Sequence, residues 1–168
     1  GIASAASLTA DDTVLEIGPG LGSLTRHLAS AAEQVVAVES DQTLLPVLAE
    51  VVAAHPNIRV VHADILTVDP AELTEGRRYK VVANIPYYIT SAVIRHLLEA
   101  RVRPNVIVLT VQREVAERIC AAPGDLSVLA VSVQAYARAE LVARIPAGAF
   151  YPRPDVDSAV VRLTALPE

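Results

Sequence analysis

Asn84–Thr90 reads N-I-P-Y-Y-I-T and directly follows the apolar run Tyr79–Ala83. An amide, a proline and two tyrosines stand at the end of what reads as a buried strand. A cap needs only Asn84 and a turn needs only Pro86, so the grouping asks for chemistry. These residue types suit transfer of a group to an aromatic amine. Such a nitrogen is a poor nucleophile, because its lone pair is delocalised into the ring. Two acceptors directed at its hydrogens favour pyramidal geometry and localise that pair. The Asn84 side-chain oxygen is one acceptor. The backbone carbonyl at Pro86, fixed by the proline ring, is the other. Tyr87 offers a face on which a flat base can stack. Catalysis is then mostly orientation. No strong base is required, since the amine becomes acidic once alkylated. The competing reading is a strand-end turn with Tyr87 and Tyr88 packed as core.

Three further strand ends carry unusual residues. The first strand closes in E-I-G-P-G-L-G-S (Glu16–Ser23), a glycine-rich turn entering a helix, where a ligand can approach the backbone closely. Its spacing is G-x-G-x-G and not the G-x-G-x-x-G of dinucleotide sites. A tight turn with no ligand is the alternative. Glu16 inside the strand is odd, because a buried carboxylate needs partners. The second strand ends in Glu39, 19 residues after Gly20, where a carboxylate can accept both hydroxyls of a ribose. An ordinary acid at a helix N-terminus is equally open, with Asp41 nearby. The third ends at Asp64, placed either to accept from the exocyclic amine of an adenine or to cap a turn. The four ends together describe an adenosyl ligand lying across a sheet. Asp64 would take the adenine, Glu39 the ribose, and the turn around Gly18 and Gly20 the amino-acid tail. That is the arrangement for S-adenosyl-L-methionine, which has no phosphate and loses nothing by the missing dinucleotide spacing. A nicotinamide dinucleotide is the runner-up and gives N-I-P-Y no task.

Alternating elements position these ends. Strands are predicted at Thr13–Gly18, Gln34–Glu39, Asn57–Asp64, Tyr79–Asn84 and Pro104–Gln112. Helices are predicted at Ser23–Ala32, Asp41–Ala54, Ser91–Ala100 and Arg113–Ala122. The length and Ala content of Asp125–Ala137 favour helix over strand. Glu140–Ile145 and Ser158–Leu163 read as closing strands paired antiparallel at an edge. Such alternation implies a doubly wound α/β sheet, mostly parallel and Rossmann-like. In that fold ligands sit beyond the carboxyl ends of the strands.

The 168 residues suffice for one domain, and 52% are hydrophobic, as a buried parallel sheet requires. No apolar stretch reaches membrane-span length, and no signal peptide is visible, so the cytoplasm is the expected location. Cys120 is the only cysteine, which rules out an intrachain disulfide and fits a buried inert thiol. His27, His55, His62 and His96 lack metal-ligand spacing, and no metal is expected. Net charge is −5, which argues mildly against a free-standing nucleic-acid binder. Residues 1–94 carry 5 basic and 11 acidic groups, while residues 95–168 carry 9 and 8. An RNA face is therefore expected in the second half or outside this chain. Arg113, Glu114, Glu117 and Arg118 read as a charged helix face with i,i+4 pairing; contact of Arg113 or Arg118 with RNA phosphate ranks second. The chain begins with Gly and contains no Met, which suggests that a native start precedes it.

L-E-I-G-P-G-L-G-S-L-T, H-A-D-I-L, N-I-P-Y-Y-I-T, V-Q-R-E-V-A-E-R-I and F-Y-P-R-P-D-V-D-S-A-V-V-R-L together resemble the ribosomal RNA adenine N6-dimethyltransferase family over nearly the whole chain. The likeness is to the small-subunit (KsgA-type) enzymes more than to the large-subunit resistance methylases. It implies a class I S-adenosyl-L-methionine-dependent methyltransferase with an antiparallel sheet edge. It also implies N6,N6-dimethylation of adenines in small-subunit ribosomal RNA, a processing step on the immature small subunit during ribosome assembly. By position, it places the cofactor against Gly18, Glu39, Asp64 and Asn84, and makes Asn84, Pro86 and Tyr87 the catalytic motif. Phe150, which the residues alone suggest as core, would sit on the target base opposite Tyr87, and a base so clamped must be extruded or unpaired. Family members carry a Q-x-F-L-like segment before the first strand and a smaller helical domain after V-D-S-A-V. Both are absent here, so residues 1–168 are expected to be the catalytic domain, acting as a monomer. A large-subunit methylase, a noncatalytic assembly or transcription factor on the same fold, and a nicotinamide dehydrogenase are the alternatives, in that order.

Overall fold

Residues 2–122, 124, 127–149 and 154–167 are described in a computed structural model. They build one seven-stranded sheet in the order β3-β2-β1-β4-β5-β7-β6. The strands are β1 (Thr13–Ile17), β2 (Gln34–Glu39), β3 (Ile58–His62), β4 (Tyr79–Asn84), β5 (Val106–Gln112), β6 (Ala137–Ile145) and β7 (Ser158–Ala165). β1 to β5 are mutually parallel. β7 runs antiparallel between β5 and β6, so the expected antiparallel edge is present, with its later strand on the inside. β6 carries an irregularity between Leu141 and Ala143, a bulge of the kind that disrupts ladder pairing at an edge.

The helices are α1 (Ile2–Ala5), α2 (Ser23–Ala31), α3 (Leu45–Val52), α4 (Pro70–Leu73), α5 (Thr90–Leu98), α6 (Arg113–Ile119) and α7 (Val128–Gln134). Side chains along β1 alternate between the two faces of the sheet. Leu15 and Ile17 join a core with Val93, Ile94 and Leu97 of α5 and with Ala116 and Ile119 of α6. Val14 joins Leu28 and Ala29 of α2 and Ala5 of α1 on the other face. All five residues of β1 are buried, which explains its unbroken apolar reading apart from Glu16. β3 lies at an edge and is only partly covered.

Several predicted elements are trimmed or divided. The stretch predicted as one helix from Asp41 is a 3-10 turn at Gln42–Leu44 followed by α3, with Pro46 in the first helical turn, where its missing N–H is harmless. β3 stops at His62, so Asp64 stands past the strand and opens a second 3-10 turn at Ile65–Thr67. α7 is helical, as its Ala content predicted. α1 and α4, of four residues each, were not anticipated, being too short for a periodic signal.

The chain winds outward from β1 through β2 to β3, then crosses back to place β4 on the other side of β1. This reversal opens a crevice at the carboxyl ends of β1 and β4. At the opposite end, Lys80 of β4 ties down the segment after α1. Its Nζ donates to the carbonyls of Ala6 (3.1 Å) and Ser7 (3.0 Å) and to Asp12 Oδ2 (3.1 Å). Replacing Lys80→Met should therefore cost about 2 kcal/mol, since it leaves a carboxylate and two carbonyls short of a donor. Urea denaturation measures the loss, and an unchanged midpoint would show that these bonds add nothing over water.

Candidate functional site

The crevice at the switch point is a cleft of about 430 Å³, lined among others by Gly18, Gly20, Glu39, Asp64, Asn84 and Pro86. The ends of β1 and β4 approach so closely that a Cβ on Gly18 would lie 2.7 Å from the Asn84 carbonyl oxygen. Gly18 also has φ +74°, which an L side chain resists. Both facts demand glycine, and together they set the strand end bearing Asn84 directly against the turn. Gly20, at φ +58°, has open space where its Cβ would stand, so its constraint is backbone conformation alone.

Glu39 at the tip of β2 is 6% exposed and joins two loops. Its Oε1 accepts from Gly20 N (3.1 Å) and its Oε2 from Asp41 N (2.9 Å). It caps no helix. That task falls to Asp41, whose Oδ1 accepts from Thr43 N at 2.9 Å. Each Glu39 oxygen keeps a further lone pair, held in fixed orientation by the backbone donors. Asp64 caps a turn, its Oδ1 accepting from Leu66 N at 2.9 Å, and it also lines the cleft.

Asn84 ends β4, is exposed to the cleft, and its side-chain amide makes no hydrogen bond among the described residues. It caps neither the 3-10 turn at Tyr87–Ile89 nor α5, whose N-cap is Ile89. The Pro86 carbonyl accepts from Ile89 N at 3.2 Å and from the Thr90 hydroxyl at 3.4 Å, so a further donor must displace the hydroxyl, the longer of the two. The backbone of Tyr87 opens the turn, while its side chain lies outside the described part of the structure. Phe150 is likewise outside the described residues.

Tyr88, which the competing reading packed as core, is 75% exposed and lines the cleft. A second residue escaped the sequence reading. Thr110 of β5 stands in register with Asn84, is 6% exposed, and its Oγ1 has no partner. Nothing in V-L-T-V-Q singled it out, because its position depends on strand pairing.

Glu16 faces α2, where the Thr25 hydroxyl donates to its Oε1. It is 2% exposed. Burial pushes its carboxyl up to about 7, against the pull of the Thr25 hydrogen bond and with help from the nearby Glu39 charge. Acids thus gather at this end of the sheet, and no Lys or Arg is among the described residues lining the cleft. A pyrophosphate finds no counter-charge here, whereas a cation does.

The charged face of α6 is as predicted. Arg118 pairs with Glu114 at 3.1 Å, and Arg113 reaches Glu117 at 3.7 Å and Asp157 at 3.9 Å. Among the described residues no group of three His, Cys, Asp or Glu could hold a metal ion, and no helix is long and apolar enough to cross a membrane. Cys120 is free and half-buried, and burial raises its thiol.

The family model described as ribosomal RNA adenine dimethylase matches residues 1–168. Ribosomal RNA small subunit methyltransferase A of Dehalococcoides mccartyi is 51% identical over 165 residues, covering 98% of this chain and 56% of the relative. The chain thus spans a little over half the length of the curated relatives it matches. Among solved structures, the 23S rRNA methyltransferase ErmE superposes with TM-score 0.89 at 40% identity over 99% of this chain and 66% of its own. A dimethyladenosine transferase from Plasmodium falciparum superposes with TM-score 0.87 at 29% identity, over 98% and 60%.

Two substitutions test the geometry. Gly18→Ala should lose about 2 kcal/mol of stability, from left-handed backbone strain and the contact with the Asn84 carbonyl; an unperturbed denaturation midpoint would contradict that contact. Glu16 binds its proton more tightly folded than unfolded, so the stability it contributes is complete below about pH 4.5 and is lost as pH rises to about 7. Over that window the loss reaches up to about 3 kcal/mol. Glu16→Gln should flatten the pH profile of unfolding there and exceed the wild type at pH 8, and a profile that keeps its slope would place the titration elsewhere.

Proposed function

The chain belongs to the ribosomal RNA adenine dimethylase family, and on that premise we propose that residues 1–168 are the catalytic domain of an S-adenosyl-L-methionine-dependent enzyme that dimethylates adenine N6 in small-subunit ribosomal RNA. The observation that carries this reading is the cleft itself. Carboxylates of Glu39, Asp41 and Asp64 surround it without a cation, and an unengaged amide stands at one end. A ligand with a positive sulfonium and an ammonium suits such a lining, and a dinucleotide does not. S-adenosyl-L-methionine supplies a methyl group made electrophilic by the sulfonium.

The chain's own residues do the rest. Glu39, oriented by Gly20 N and Asp41 N, accepts from the ribose hydroxyls. Asp64 accepts from the adenine amine of the cofactor, and the Gly18–Gly20 backbone borders the amino-acid tail. The Asn84 side-chain oxygen and the Pro86 carbonyl, with the Thr90 hydroxyl displaced from it, accept the two hydrogens of the target amine, so its lone pair leaves conjugation with the ring. The new bond forms from nitrogen to the methyl carbon as the sulfur–carbon bond breaks, and the proton departs afterwards to water. Tyr87 and Phe150 hold the flipped base between them. Preorganised acceptors and alignment supply the acceleration. The substrate is the RNA of the immature small subunit, and the enzyme works as a cytoplasmic monomer.

Small-subunit enzymes are favoured over large-subunit methylases by the relatives' identities, 51% against 40%. Labelled methyl transfer followed by nucleoside mass spectrometry decides the matter, with immature small-subunit particles and naked large-subunit RNA as substrates. Dimethyladenosine confined to small-subunit RNA is expected, and label in large-subunit RNA would overturn the choice. Asn84→Ala should lower transfer on the order of a hundredfold or more while the denaturation midpoint stays put. An active variant would refute the role given to Asn84.

A further inference from the structure

The end of the sheet opposite the cleft holds a second hollow of about 710 Å³, lined among others by Arg78, Lys80, Arg101 and Arg103 and by Thr164–Pro167. No carboxylate is among its described lining residues, although the chain as a whole carries a net charge of −5. The described linings of the two hollows thus differ in sign, acidic at the cleft and basic here.

We propose that this hollow binds phosphates of the RNA backbone, giving the catalytic domain a second grip on its substrate remote from the target adenine. The proposal rests on the reading of the protein as a ribosomal RNA methyltransferase. Arg78 is exposed and makes no ion pair among the described residues. Arg103 lies over the Tyr136 ring, 4.8 Å from its centroid, a stacking that leaves the in-plane N–H donors free. Arg101 pairs with Asp69 at 3.1 Å yet remains 70% exposed. Lys80 is committed to Asp12 and to backbone carbonyls and adds field more than contact.

The walls are rigid. Tyr79 Oη donates to the Val102 carbonyl at 2.6 Å, Asn105 N to the Tyr79 carbonyl at 2.9 Å, Ala165 N to the Asn105 carbonyl at 3.0 Å and Leu166 N to the Tyr136 carbonyl at 2.9 Å. The loop carrying Arg101 and Arg103 is therefore held in place before any ligand arrives, which lowers the ordering cost of binding. Arginine forks match phosphate oxygens. No aromatic residue is among the described residues lining the hollow, so it offers no ring face to a base, and the ligand is read as backbone rather than nucleobase. Five residue steps of β4 separate Tyr79 from Asn84, roughly 17 Å. One nucleotide cannot touch both ends, and the RNA that presents the target adenine must continue around the domain, or a neighbouring rRNA helix must reach it.

The test compares wild type, Arg78→Glu/Arg103→Glu and Arg78→Lys/Arg103→Lys in binding to a small-subunit rRNA transcript over a range of salt. The slope of log affinity against log salt should fall by about 2 in the glutamate variant, and binding at 100 mM salt should weaken roughly tenfold or more. The lysine variant should stay close to wild type, as a charge contact predicts and a packing role does not. S-adenosyl-L-methionine binding and the melting temperature check the fold. If Arg103→Glu unfolds the protein, Arg78→Glu alone should lower the slope by about 1. An unchanged slope would overturn the proposal while leaving methyl transfer intact. Weaker binding to whole ribosomal particles with unchanged binding to the naked transcript would assign the hollow to a protein partner instead. A wild type that neither bound nor methylated small-subunit RNA would overturn this proposal together with the functional reading beneath it.

Discussion

Everything at the cleft depends on how closely two backbones meet at the ends of β1 and β4. No side chain fits between Gly18 and the Asn84 carbonyl. A parallel sheet winding outward in both directions must leave a gap where its order reverses, and the narrowness of that gap decides what it can hold. With glycine on one wall, the amide on the other wall comes within reach of whatever lies over the turn. The turn at Gly18 and the Asn84 amide are thus placed by one piece of backbone packing, and neither strand end could shift without the other.

The second organising force is electrostatic. Burying Glu16 beside Thr25 and near Glu39 costs free energy that a helix face of leucines would have saved. Glu39 spends its first pair of hydrogen bonds on two loops, Gly20 on one side and Asp41 on the other. Its orientation is therefore fixed by the protein before a ligand arrives. The hollow at the other end of the strands is lined by Arg78, Arg101 and Arg103 and by no described carboxylate.

Much of this was legible in the sequence because it follows from local rules. β2 and β4 have the predicted bounds, since a short run of β-branched residues between turn signals leaves little choice. Glu16, Glu39, Asp64 and Asn84 stood out because each puts a polar group where a strand should be apolar or ending. What stayed hidden depends on three-dimensional neighbours. Glu39 and Asp64 each looked like either a helix-end acid or a ligand; Glu39 bridges two loops, Asp64 caps a 3-10 turn, and both line the cleft. Tyr88 carries no mark in the sequence that would separate an exposed rim residue from a core one. Thr25 becomes Glu16's partner only when α2 folds back over β1. Arg78 and Arg103 are 25 positions apart in the chain and become neighbours only through the pairing of β4 with β5.

Lys80 is the only lysine in the chain, and its amine is held by two carbonyls and a carboxylate. Amine-directed reagents need an unengaged amine, and in the folded domain those three bonds withhold the Lys80 side chain from them. The slow residual reaction at Lys80 would count openings of the segment between α1 and β1, a chemical clock for local unfolding already built into the native sequence.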